Sequence, residues 1–138
     1  MLQRIQSLWL LLAGIFAFLT VRLSIYNGTK PVKEVNEYNA LNAGSSLFLL
    51  VFTVALGLIP FIAIFLYKNR SMQIKLCLAA LGVYVICCVL YFMQIKQFSV
   101  GALSLWSGFY FLIPILLILA ITGIYKDSRL IKSIDRLR

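Results

Sequence analysis

Few residues in this 138-residue chain are of types that do chemistry, and their spacing brings little of it together. There are four acids, Glu34, Glu37, Asp127 and Asp135, three cysteines, Cys77, Cys87 and Cys88, and no histidine. Without an imidazole the chain lacks both the commonest general base and the commonest metal ligand. Cys77 and Cys88 lie roughly 16 Å apart along a helix, so they can share a face but cannot be bridged within it. All three cysteines sit in one apolar run and read as small buried hydrophobes. The apolar runs that hold the hydroxyls of Thr53, Ser107 and Thr122 contain no carboxylate, histidine or lysine to activate them, and in apolar helices such groups serve packing and backbone hydrogen bonding. Gln94, near the end of its run, is a lone and weak candidate for a pore lining. No catalytic, cofactor-binding or metal site is assigned, and the expectation is a non-enzyme with no small-molecule substrate.

The elements that carry these residues follow from hydropathy. Apolar types make up 62% of the chain and charged types 12%, with a mean hydropathy of +0.98, more than a water-soluble domain carries. A net charge of +9 would suit nucleic acid if it lay on a soluble face with base-stacking residues. Here the cations flank apolar runs instead, so a membrane surface is the expected partner and nucleic acid is not. Four runs are each long enough for a bilayer core of about 30 Å, with spans expected near residues 5–25, 46–67, 74–95 and 103–125. In hydrocarbon they must be helices, because the alternation that marks a barrel strand is missing. The expected fold is therefore all-α: one integral membrane domain, 1–138, built as a four-helix bundle with an outer loop at 26–45 and a basic tail at 126–138.

An even number of spans puts both termini on one side. That side collects Arg4, Lys68, Arg70, Lys75, Lys126, Arg129, Lys132, Arg136 and Arg138, and the other keeps Arg22, Lys30, Lys33 and Lys96. The imbalance predicts that both termini and the break between the second and third spans are cytoplasmic. The first span reads as an uncleaved signal anchor, since no small-x-small cleavage site follows it. Trp9, Tyr67 and Tyr125 are expected at the inner interface, and Tyr91, Trp106 and Tyr110 at the outer one.

Close helix approach in lipid needs small residues, and the spacing of four nominates Ala13 with Ala17, Thr53 with Gly57, and Ser104 with Gly108 as packing seams. Pro60 and Pro114 sit within the second and fourth spans, where packed neighbours can shelter the freed carbonyls. The phrases LIPFIAIFLYK (58–68) and LIPILLILAITGIYK (112–126) match in direction and ending, as a tandem repeat of helical hairpins would. Asn27-Gly28 is a tight-turn signal for a short hairpin in the outer loop, and Asn27-Gly28-Thr29 fits the glycosylation pattern. In the tail, Leu130, Ile131, Ile134 and Leu137 recur at helical spacing among cations, which predicts an amphipathic helix lying in the interface. Either Asp127 or Asp135 is positioned to pair with Arg70 or Lys75.

The opening MLQRIQSLWLLLAG, the central YKNRSMQIKLC and the closing KDSRLIKSIDRLR together resemble a family of small four-helix bacterial inner-membrane proteins catalogued as a domain of unknown function. The resemblance covers the whole chain. It implies a multi-pass protein of the bacterial inner (cytoplasmic) membrane and brings no activity, substrate or cofactor. The expected role is that of an accessory or scaffold subunit of a larger envelope complex, docking a membrane protein partner through its helices and basic surface. A small homo-oligomeric channel or lipid-handling protein is the alternative. Membrane lipids, anionic phospholipid included, are expected contacts of the nine clustered cations.

Overall fold

The computed structural model of the chain describes residues 2–32 and 35–135. The elements run α1 (Leu2–Arg22), β1 (Tyr26–Val32), β2 (Val35–Leu41), a 3-10 turn (Ala43–Ser45), α2 (Leu47–Phe65), α3 (Arg70–Ile95), β3 (Val100–Leu103) and α4 (Ser107–Asp135). Among the described residues four helices are long and apolar enough to cross a membrane. They close a ring in which α1 packs on α2 and α4, and α3 packs on the same two.

Each helix turns one narrow stripe inward, with residues spaced alternately three and four apart. On α1 these are Leu10, Ala13, Ala17 and Thr20; on α3 they are Cys77, Ala80, Tyr84, Cys87 and Tyr91. On α4 the stripe is Ile113, Leu117, Ala120 and Ile124. That spacing is the knobs-into-holes geometry of helices crossing at a shallow angle. The remaining faces expose Ile15, Val51, Ile62, Val85, Val89 and Ile118, each at least 40% accessible. Such a surface is consistent with a multi-pass membrane protein, whose outward faces are solvated by acyl chains.

The small residues nominated as packing seams fall in different surroundings. Ala13 and Ala17 are fully buried, as is Thr53, and Gly57 lies against the Phe18 ring, where a Cβ would come within 2.8 Å. Gly14 belongs to the same seam, since its Cβ would stand 3.1 Å from the Gly57 carbonyl. Ser104 and Gly108 form no seam: Ser104 precedes α4, and Gly108 has nothing within 4 Å of a Cβ position. Pro60 is buried inside α2, and Pro114 lies within α4.

The expected all-α molecule acquires a three-stranded antiparallel sheet at the end of the bundle opposite the termini, in the order β2-β1-β3. The Asn27-Gly28 pair does not make the hairpin turn. Val32 pairs with Val35 at the far end of the β1–β2 ladder, away from Asn27 and Gly28. Gly28 instead stands opposite Gly101 across β1 and β3, where a Cβ would meet the Val100 carbonyl at 2.4 Å. The two strands meet there through bare backbone, and the Tyr26 ring covers Gly101. Asn27 is the second residue of β1 and its Oδ1 is buried, a poor setting for a glycan acceptor. Thr29 turns its carbonyl to the Ser99 N–H; Pro31, two residues on, faces the same way past the end of β3, where no ladder bond is needed.

Two expected boundaries move. The fourth span starts at Ser107, because residues 100–103 are recruited as β3. The tail is not a separate interfacial helix, since α4 runs unbroken from Ser107 to Asp135.

Candidate functional site

Two polar clusters interrupt the apolar interior. The first lies inside the bundle, on the inward stripes of α1, α2, α3 and α4. Tyr110 and Cys88 meet through Oη and Sγ at 3.3 Å, and the Tyr84 and Tyr110 rings stack at 4.8 Å. Tyr91 meets the Tyr110 ring edge-on at 5.2 Å. Tyr91 and Tyr110, expected among the interfacial aromatics, are thus core residues, only 3% and 4% exposed. The Tyr91 hydroxyl faces Thr20 and Thr53 outside hydrogen-bond geometry, while Thr20 donates to the Ala17 carbonyl at 2.7 Å. Cys77, Cys87 and Cys88 are free thiols, the first two buried, and the short distances among these groups are those of packing. Gln94 is a structural link, accepting from the Ser45 hydroxyl at 3.2 Å.

The second cluster closes the bundle at the end that carries the termini. There the inward stripes change character without changing phase. Counting by three or four from Leu10 on α1 reaches Gln6; from Cys77 on α3 it reaches Gln73 and then Arg70; from Ile124 on α4 it reaches Asp127; Tyr67 joins them from the turn that follows α2. The helix ends therefore aim two amides, a guanidinium, a carboxylate and a phenol at one place. With Ser7 beside Gln6 and Ile64 as an apolar wall, they line a partly open cavity of about 370 Å³.

Arg70 Nη1 lies 2.9 Å from Asp127 Oδ2, with the two side chains 18% and 16% exposed. This is the expected pairing of the tail with the central break. Arg70 opens α3, where the helix dipole disfavours a cation, and the Asp127 carboxylate offsets that field. The contact is ionic but misaligned, since Nη1 makes no hydrogen bond of ordinary geometry. Gln6 is 6% exposed and its Nε2 likewise has no hydrogen-bond partner among the described residues; Gln73 is 4% exposed. Gly123 lets Gln6 lie flat across α4, where a Cβ would come within 2.9 Å of Gln6 Cγ.

Of the nine clustered cations, the structure brings Arg70 into this cavity and leaves Lys68, Lys75, Lys126 and Arg129 exposed around it. Lys126 and Arg129 flank a second, shallower groove of about 410 Å³ with Leu130 and Ser133. The side chains of Arg4, Lys132, Arg136, Arg138 and Asp135 lie outside the described residues. Gln6, Gln73, Gly14 and Gly123 are buried or close-packed positions that residue type alone did not reveal. The phase of the buried stripes was the signal for the two glutamines. Among the described residues no group of three His, Cys, Asp or Glu side chains is arranged to hold a metal.

No curated protein sequence and no solved structure matches the chain. A family model does, over residues 2–137, and the four apolar helices with their polar closing cluster therefore belong to a member of the family described as Domain of unknown function (DUF4293).

Proposed function

We propose that the protein is a non-catalytic accessory or scaffold subunit of a larger bacterial envelope complex, resident in the inner membrane with both termini cytoplasmic. The observation that carries this reading is the bundle fastened at both ends. The sheet joins the two loops at one end, and the Arg70–Asp127 pair joins α3 to α4 at the other. Such a body is suited to holding a shape for another protein, and the exposed Lys68, Lys75, Lys126 and Arg129 around the clamp offer charge for docking an acidic partner. The nine-to-four distribution of cations supports the inward orientation of that end.

Purification of the tagged native protein in mild detergent, followed by mass spectrometry, is expected to recover a larger membrane protein in constant ratio. Changing Arg129, Lys132 and Arg136 to Glu is expected to remove that partner while membrane insertion is kept. Equal partner recovery from the triple variant would reject the basic docking surface. A lipid-handling role is the second reading, favoured by the partly open polar cavity at the helix ends, and recovery of self-oligomers alone with bound lipid would favour it.

A further inference from the structure

We propose that the cavity between Gln6, Arg70, Gln73 and Asp127 is a binding site for the headgroup of a zwitterionic aminophospholipid, of the phosphoethanolamine class. The site has unmet donors: Gln6 Nε2 has no partner among the described residues, and Arg70 Nη1 approaches Asp127 without forming a hydrogen bond. A buried donor left unsatisfied costs about 1–3 kcal/mol, so an acceptor oxygen entering the cavity is favoured at Gln6, with the ion-paired but misaligned Arg70 beside it. A phosphodiester supplies oxygens for both, and guanidinium–phosphate contacts are among the stronger hydrogen bonds.

The charge balance selects the class of headgroup. Among the described lining residues the charged groups are Arg70 and Asp127, which cancel inside the cavity, while Lys68, Lys75, Lys126 and Arg129 lie exposed outside it. A bare anion would gain Arg70 and be repelled by Asp127. A headgroup carrying both an ammonium and a phosphate satisfies the two together, its ammonium donating to the carboxylate. Size and position agree with this. A volume of about 370 Å³ is roughly twelve waters' worth at ~30 Å³ each, ample for a headgroup and too small for acyl chains. The apolar wall at Ile64, and the exposed Phe65 and Tyr67 beside it at the end of α2, offer the chains an apolar surface next to the polar chamber.

This inference goes beyond the accessory role and does not depend on it, because a bound lipid would complete the clamp whatever the partner. The test uses the full-length protein, delipidated in mild detergent and titrated with phosphatidylethanolamine, phosphatidylglycerol or phosphatidylcholine of matched acyl chains, read by native mass spectrometry. Phosphatidylethanolamine is expected to be retained about tenfold more strongly than either of the others, the ratio that one charged hydrogen bond confers. Gln6→Leu, which keeps the volume and removes a donor to the phosphodiester that all three lipids share, is expected to weaken retention of each of them several-fold with the helical circular dichroism unchanged. Asp127→Asn is expected to abolish the discrimination against phosphatidylglycerol. Equal retention of the three lipids, or undiminished retention of phosphatidylethanolamine in Gln6→Leu, would overturn the proposal. Stabilisation by soluble glycerophosphoethanolamine as strong as that by the lipid would overturn the membrane source. Loss of a protein partner without any change in lipid preference would bear only on the accessory role.

Discussion

Glycine shows how much a residue's meaning depends on what stands opposite it. Gly28 faces the backbone of β3, with Val100 O 2.4 Å and Gly101 Cα 2.8 Å from where a Cβ would sit, and backbone cannot swing aside. At Gly57 the nearest atoms to a Cβ belong to the Phe18 ring, a side chain that is 36% exposed and can shift more readily than backbone. Gly82 faces open space on the exposed side of α3. Substitution by alanine should therefore follow that order. Gly28→Ala is expected to cost about 1–3 kcal/mol by overpacking and to loosen β3. The direct readout is faster amide exchange at Ser99 and Ser104, whose N–H groups donate to the Thr29 and Ile25 carbonyls. Gly82→Ala should raise thermal stability, by about 0.5–1 kcal/mol, because alanine is the better helix former at an open position. A Gly28→Ala protein with unchanged exchange at those two amides would contradict the bare-backbone contact.

At the scale of elements, the continuity of α4 changes what its last two turns can do. An amphipathic helix lying flat keeps its residues at one depth, whereas an extension of a membrane-spanning helix carries each residue about 1.5 Å further along the axis. Asp127 can reach Arg70 because the helix does not bend away after Tyr125. Spin labels placed singly at Lys126, Arg129 and Ser133 in vesicles should therefore report accessibility to water-soluble relaxants that rises along the series. Equal depth at the three positions would show that the tail lies along the surface. The sheet obeys a similar logic: β3 has only four residues, and it is held because β1 offers it a glycine and an aromatic lid.

For the whole molecule, the division of charge between the two ends carries the orientation. Moving the end with Lys68, Lys75, Lys126 and Arg129 across a membrane would place that cluster on the disfavoured side. In a cysteine-free background, a cysteine at exposed Asn69 should resist a membrane-impermeant thiol reagent in intact cells and react after permeabilisation. One at exposed Tyr38 of β2 should react in intact cells, or after removal of an outer barrier. The reverse pattern would invert the molecule and place the polar cavity on the other face.

The number of helices, their approximate limits and the tail-to-hairpin ion pair were legible in the residues, because an uninterrupted apolar run in lipid has one way to satisfy its backbone. Residue type alone did not expose the cavity. Gln6 and Gln73 are ordinary polar residues near helix ends until the packing phase of their stripes turns both inward, beside Arg70 and Asp127. The third strand was equally hidden, since residues 100–103 are short and apolar and acquire strand geometry only by pairing with β1. Local composition therefore determined what crosses the bilayer. Which side chains meet was decided by the tertiary structure, because contacts between distant segments depend on how four helices rotate about their axes to bury their small residues.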